Sequence, residues 1–484
     1  MRLSAYPWGT IVELASGEVW DGARLGAETR RRRSRLARLG VRPGARVMIA
    51  HGATPAFFAD LFATWELGAA AACINPLLTV TENRTLAAFI APAAVLVGPD
   101  APAERFAGIA TPVVCLADGP ESPESLTPEL ARSALDDPAL ILFTSGTTGD
   151  PKGVVHTFRS VLARVALNQA WIGAPALART LCVLPTHFGH GLIGNCLTPL
   201  LAGGDLFVHG TLGVAGAARL GSVIDQHRIT FLSSVPAFWK VALKAARPPA
   251  TPTLARVHVG SAPLSAALWR QIMTWAGIDD VVNTYGITET ANWVAGASAR
   301  THEPADGLVG TMWGGRAAVR EEGGRLLATG EGEIALQTPA LMSGYDQRPD
   351  LTDAVLRDGW FFTGDIGRIE PDGRLFLTGR AKDEINRAGI KVHPEEVDLL
   401  LERHPDVAEA CAFALADDIS GERVGVAVRL REGAAADAGA LKSWCAERIR
   451  RESVPERWFL VPEIPRTERG KVNRRKVMER CLRS

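Results

Sequence analysis

Short, wholly apolar runs alternate with alanine- and leucine-rich segments of helical period through roughly the first 210 residues of the chain. Residues 45–50 (ARVMIA), 93–97 (AAVLV) and 139–144 (ALILFT) are too short and too uniformly apolar for amphipathic helices, and read as buried strands. Between them lie helical stretches such as residues 56–67. Strands buried on both faces and separated by helices imply parallel sheets wrapped by helices. A second set of runs, 230–233, 256–259 and 280–283, repeats the pattern.

From residue 323 the texture changes: GRLLATGEGEIALQTP and WFFTGDIGRIEPDGRLFLTGR give short strands joined by glycine turns, with Pro371-Asp372-Gly373 a strong turn signal. After residue 380 come a helix and a strand, a further strand at 425–430, a helix at 440–451 and a basic tail. A chain of 484 residues exceeds one ordinary core. The predicted fold is α/β. Residues 1–380 form a large domain of stacked sheets with helices and a β-rich subdomain, and residues 381–484 a small, mobile α/β domain.

Charge excludes some functions. The formal net charge is +0, which argues against a broad footprint for nucleic acid or an anionic membrane. The densest basic run, Arg30 to Arg33 with Arg35 and Arg38, reads as the solvated face of a helix carrying Leu25, Thr29, Leu36 and Leu39. Seven scattered cysteines form no C-x-x-C pair, so neither a disulfide framework nor a metal cluster is expected, and a reducing compartment is favoured. The first residues lack a signal-like apolar stretch, and no apolar segment approaches membrane-spanning length; a cytoplasmic protein without membrane insertion is expected.

At residues 142–156 the chain reads LFTSGTTGDPKGVVH, placing a glycine-, hydroxyl- and lysine-rich turn directly after a buried strand. Backbone N–H groups freed by glycine, with Ser145, Thr147, Thr148 and Lys152, are the ingredients of a phosphate cradle. It is not a Walker loop: proline stands for the second glycine and Gly153 for the metal-binding hydroxyl. The G-x-G spacing of a dinucleotide fingerprint is also missing.

Five further elements follow in order: GSAPLS from residue 260, NTYGITE from 283, GWFFTGD from 359, GRAKDEINRAGIKVHPEEVD from 379 and PRTERGKVNRR from 465. With this set the chain resembles the adenylate-forming superfamily of acyl-CoA synthetases, peptide-synthetase adenylation domains and luciferases. The resemblance implies that a carboxylate attacks the α-phosphorus of ATP, pyrophosphate leaves, and a thiol then displaces AMP from the acyl-adenylate.

It also implies roles. Thr144, Ser145, Gly146, Thr147, Thr148, Gly149 and Lys152 would enclose the β- and γ-phosphates, and Glu289 with Thr147 would hold Mg2+. Gly260, Ser261 and Ala262 would lie along the adenine and Tyr285 would stack on it, with Asn283 and Gly286 in the same nucleotide-binding set. Thr288 would reach the α-phosphate, Asp365 the ribose hydroxyls, and Arg380 would add a charged ribose contact. Lys471 would reach across the domain boundary as the electrostatic catalyst, beside Glu289 and Thr288. Lys382 marks the hinge, with Gly389 swinging toward the thiol tunnel.

The acyl side departs from the family pattern. Where many relatives carry P-x-F-H-x-x-G, this chain has Pro185-Thr186-His187-Phe188-Gly189-His190-Gly191, with aromatic and histidine exchanged. Gly189 takes the place of the aspartate that pairs with an α-amino group in amino-acid-activating domains, which disfavours an α-amino acid substrate. His187, Phe188, Trp239 and Trp293 are the acyl-pocket candidates, with His190, Asn195 and Phe238 beside them; the same side chains could equally be core. A bulky Trp293 favours a short or aromatic acid over a long chain.

Coenzyme A is the default acceptor. A carrier-protein phosphopantetheine arm, a non-thiol fate of the adenylate, and a catalytically dead adenylate-binding protein are the alternatives. The last is disfavoured by the presence of Lys152, Glu289, Asp365, Arg380 and Lys471.

Overall fold

The computed structural model describes residues 3–117, 135–144, 151–209, 214–387, 390–417, 421–467 and 471–483. Two large sheets dominate residues 1–380. The smaller, of seven strands, runs Gly344–Tyr345, Lys152–Thr157, Pro138–Thr144, Ala70–Cys73, Arg46–Ala50, Ala94–Val97, Val113–Val114. The last five of these are parallel, as the apolar runs predict. Pro138–Thr144 pairs antiparallel with Lys152–Thr157, with Thr144 opposite Lys152.

The larger sheet has a parallel centre, Asp205–Val208, Arg179–Cys182, Phe231–Ser234, Arg256–Gly260 and Val281–Gly286. It continues without a break into antiparallel strands Trp293–Ser298, Leu308–Met312, Leu375–Arg380, Trp360–Ile369, Gly330–Gln337 and Arg316–Arg320. The antiparallel part therefore begins about one strand pair earlier than the glycine-rich texture suggests. Strands as apolar as Trp293–Ser298 give no sign in sequence of which way they run.

Side-chain alternation stacks the layers. Val47, Ile49, Leu140 and Leu142 face inward onto Phe57, Phe58 and Phe62, and meet Leu206, Val208 and Cys182 of the larger sheet. Met48, Ala50 and Ile141 face outward onto Ala87 and Ile90. Leu181 and Phe207 face the helices Leu220–His227, Pro236–Ala245 and Ala266–Ala276.

The C-terminal unit is a separate sheet, Ile390–Val392, Ile385–Arg387, Gly421–Leu430 and Val407–Asp417, with Arg457–Leu460 added parallel to Gly421–Leu430. It carries the helices Pro394–Glu402, Ala438–Ala446 and Arg474–Arg483. The middle helix stops short of the predicted 451, where a 3-10 turn Arg451–Ser453 takes over.

One expectation fails. In the helix Gly22–Arg38, Arg32 and Arg33 are buried rather than solvated. Arg32 Nη1 meets Asp60 Oδ1 at 2.7 Å and Arg33 Nη1 meets Glu66 Oε2 at 2.8 Å. Four consecutive arginines cover more than one face of a helix, so part of the run must turn inward. The acids awaiting it sit in the otherwise apolar helix Pro55–Glu66. All seven cysteines are free thiols. Among the described residues no helix is long and apolar enough to cross a membrane.

Candidate active site

The phosphate-loop candidates Ser145, Gly146, Thr147, Thr148 and Gly149 lie outside the described residues, as does Gly389. What frames them is clear: Thr144 ends one strand and Lys152 opens its antiparallel partner, so the glycine-rich stretch connects the two arms of a hairpin. Lys152 Nζ sits 3.7 Å over the Tyr345 ring and 4.0 Å from Glu289 Oε1, which also accepts the Tyr345 hydroxyl at 2.7 Å. Burial pushes the Lys152 ammonium below the usual lysine range, and the charges of Lys382, Arg348 and Arg380 push the same way against the pull of Glu289. Lys152, Lys382, Arg348 and Arg380 are close enough to repel one another, and such a concentration of positive charge favours a polyanion. Tyr345 also pairs with Val154 across a strand edge, which fixes its ring beneath Lys152.

Glu289 lies in the turn Thr288–Thr290, held from below by two buried side chains. His156 Nε2 donates to the Thr288 carbonyl at 2.8 Å, and Arg164 Nε donates to the Thr290 carbonyl at 3.2 Å. Burial, with the Arg164 charge adding to it, pushes His156 down to about 4, so its ring is neutral at pH 7. Burial likewise pushes Arg164 down, to about 9. These two supports and Tyr345 are residues that sequence reasoning missed. His156 closes the very stretch that signalled the phosphate loop, but nothing local says that its ring turns under residue 288.

The nucleotide-side candidates lie on interior strands of the larger sheet, along the edge made by the C-terminal ends of Arg256–Gly260 and Val281–Gly286 and by Asp365 and Arg380. Tyr285 Oη donates to Asp365 Oδ2 at 2.5 Å, and Arg380 Nε donates to Asp365 Oδ1 at 2.6 Å. Burial first, then the Asp365 charge, raises the Tyr285 phenol well above its ordinary range, so it stays a donor. Asn283 is buried and gives its amide to Leu308 O at 2.7 Å, facing into the sheet. A Cβ at Gly260 would fall 2.2 Å from Thr284 Oγ1, and one at Gly286 would fall 2.4 Å from Asn292 O, so both positions need glycine. Ser261 adopts φ 65, a left-handed conformation uncommon outside glycine. Its neighbour Ala262 is half-buried.

His190 ties this edge to the acyl side. Its Nδ1 lies 2.8 Å from Ser261 Oγ and its Nε2 2.7 Å from Ser233 Oγ. It opens a π-helical turn, His190–Leu197, a geometry often found at functional sites. Asn195 in that turn donates to Ser233 O at 2.9 Å. Trp293 packs edge-on to His190 with centroids 5.2 Å apart. The enclosing protein, and after it the charge of Lys471, push His190 down to about 3. Lys471 is exposed, its carbonyl accepts the Thr467 backbone N–H at 2.7 Å, and its charge acts on His190. His187 and Phe188 meet with their rings tilted by 59° and centroids 4.0 Å apart, and both are half-buried. Trp239 lies apart from them, fully enclosed in the core against Trp275 at 5.3 Å. Lys382 lies in the turn Ala381–Asp383 that links the two units.

Among the described residues no group of three or more histidine, cysteine or carboxylate side chains could hold a metal. Magnesium needs no such cluster when phosphates supply most of its oxygens. Glu289 Oε2, which makes no hydrogen bond among the described residues, is a hard-oxygen donor of the right kind.

Known proteins carry the same pattern. The profile described as AMP-binding enzyme matches residues 7–346, and that described as AMP-binding enzyme C-terminal domain matches residues 396–471. A sulfoacetate–CoA ligase of Cupriavidus necator is 33% identical over 435 residues, covering 86% of this chain and 84% of its own. An oxalate–CoA ligase of Arabidopsis thaliana is 33% identical, covering 76% and 72%. Among solved structures, ATP-bound MatB from Rhodopseudomonas palustris superposes with a TM-score of 0.88 at 25% identity, covering 98% of this chain and 96% of that one. The amide bond synthetase McbA from Marinactinospora thermotolerans gives 0.87 at 27%, covering 98% and 97%.

Proposed function

The chain belongs to the AMP-binding enzyme family, and from that premise we propose how its own residues carry out the reaction. It is an acid–thiol ligase: a carboxylate is activated with ATP as the acyl-adenylate, and the acyl group passes to coenzyme A. A carboxylate oxygen attacks the α-phosphorus, the bond to the bridging oxygen breaks, and pyrophosphate leaves. The CoA sulfur then attacks the acyl carbonyl carbon and AMP departs with the bonding electrons.

The Lys152, Glu289 and Tyr345 cluster beside the glycine-rich stretch carries the reading, and Lys471, from the far end of the chain, adds its charge toward the wall formed by His190. There it would offset the negative charge that builds up as two anions are pushed together. Lys152 and the hairpin stretch 144–149 would hold the β- and γ-phosphates. Glu289 and Thr147 would hold magnesium, whose contribution when bound is to neutralise phosphate oxygens. Thr288 would contact the α-phosphate, its backbone kept in place by His156. Asp365 and Arg380 would hold the ribose, while Gly260, Ser261, Ala262 and Tyr285 would flank the adenine, with Asn283 and Gly286 shaping the strand beneath. The domain boundary falls after Arg380, supported by the change of sheet between Leu375–Arg380 and Ile385–Arg387, with Lys382 as the hinge.

The acid we propose is short and polar. His190, joined to Ser261 Oγ and Ser233 Oγ with Trp293 edge-on to it, makes the wall on which the Lys471 charge acts polar rather than a long apolar surface. The two relatives named above act on sulfoacetate and oxalate, both short acids with a second acidic group. Pyrophosphate–ATP exchange against short dianionic, aromatic and long-chain acids tests this. Exchange with a short polar acid and none with palmitate is the expected result; efficient palmitate turnover would overturn it.

A second acceptor reading has one observation behind it, the likeness to an amide bond synthetase over nearly the whole chain. Supplying coenzyme A, a phosphopantetheine carrier or an amine to the adenylate-forming enzyme separates these fates.

A further inference from the structure

Lys471 reaches the site only if the C-terminal unit is held against the rest of the protein, and a small set of charges spans that seam. Lys240 Nζ, on the helix Pro236–Ala245, meets Glu402 Oε2 at 3.1 Å and Oε1 at 3.2 Å. Glu402 ends the helix Pro394–Glu402, and the next residue, Arg403, pairs with Asp306 of the large domain. Asp306 is itself fixed, because its Oδ1 accepts the Ala266 backbone N–H at 2.7 Å. At the other end of the same helix two side chains close on the backbone of Gly379. A Cβ at Gly379 would lie 2.8 Å from Glu395 Oε2 and 3.1 Å from His393 Nδ1. Glu395 Oε1 in turn pairs with Arg474 at 2.9 Å, three residues beyond Lys471.

One helix therefore touches the large domain at both ends and holds the Lys471 segment through Arg474. We propose that the pairs Lys240–Glu402 and Arg403–Asp306 are positioning contacts that seat the C-terminal domain in the adenylating orientation. This rests on the role given to Lys471 above. Neither pair touches substrate, and both are partly open to solvent, so their loss should tilt the domain without unfolding either part.

The test uses the full-length enzyme and an acid that supports exchange in the wild type, so that silence of the wild type would count against the ligase reading and not against these contacts. Lys240→Ala and Arg403→Gln are made singly and together, with the charge exchange Lys240→Glu/Glu402→Lys. Each single change should lower the kcat of pyrophosphate–ATP exchange by about five-fold, the upper scale of one solvent-accessible ion pair, with the KM for ATP unchanged. Salt should slow exchange more steeply in the wild type than in the combined variant. The charge exchange should recover activity to within about two-fold of wild type, since it rebuilds the pair. Unaltered exchange in the combined variant overturns the proposal, as does a charge exchange no better than Lys240→Ala.

Discussion

Tyr285 and Asp365 stand 80 residues apart in sequence and meet through a 2.5 Å hydrogen bond, with Arg380 on the second carboxylate oxygen. The carboxylate is buried and held by a hydroxyl on one side and a guanidinium on the other, so it cannot turn away from a ligand. Asp365→Ala should weaken ATP binding by roughly 10- to 100-fold, the scale of charged hydrogen bonds lost. Tyr285→Phe, which removes one donor and keeps the ring, should cost less than about ten-fold. Calorimetric titration with ATP measures both, and equal affinities in wild type and Asp365→Ala would remove Asp365 from the site.

Lys471→Ala should slow adenylate formation by at least about 100-fold, the loss expected for one strong donor to developing charge. ATP affinity should hold, because the phosphates keep Lys152. Single-turnover adenylation beside a binding titration separates the two, and near-wild-type adenylation would return Lys471 to the status of a surface cation.

Trp293 is almost fully enclosed between His190, His258 and Trp313. Trp293→Ala should destabilise the fold by about 3–5 kcal/mol, as large-to-small changes in a packed core do. The same change should let longer acids support exchange. Urea unfolding reads the first effect and the acid panel the second. If the variant loses stability yet keeps the wild-type acid preference, Trp293 is core alone.

Acid should weaken the fold through its enclosed histidines. Burial pushes His156 from its ordinary 6.5 down to about 4, and pushes His258 well below the usual value. The unfolded chain takes up a proton at residue 156 near pH 6.5 and the folded chain resists until about 4, so stability is full above that window and falls as pH drops through it, with His258 acting in the same direction. His156 by itself should remove about 2 kcal/mol between pH 7 and pH 5. Urea unfolding of wild type and His156→Gln at both pH values checks this; the variant should show the shallower dependence.

Much of this protein can be read along the chain. The strands 46–50, 94–97 and 138–144 stand where uniformly apolar runs place them, because a strand buried on both faces has little freedom in composition. The glycine-rich turn after a buried strand could be read the same way, though its antiparallel return strand Lys152–Thr157 could not, and the six ordered motifs identify the family that the profiles and relatives bear out. Arg32 and Arg33 could not be read that way, since their partners Asp60 and Glu66 lie on another helix.

Local spacing thus determined the strands, the turns and the order of chemically loaded segments, because periodicity and backbone freedom act over a few residues. Tertiary structure alone decided which distant groups share an environment: Tyr285 with Asp365, His156 under Thr288, and the Lys471 charge on His190. Those relationships arise when sheets stack and the C-terminal helix docks, and the electrostatic consequences follow from burial that no local pattern encodes.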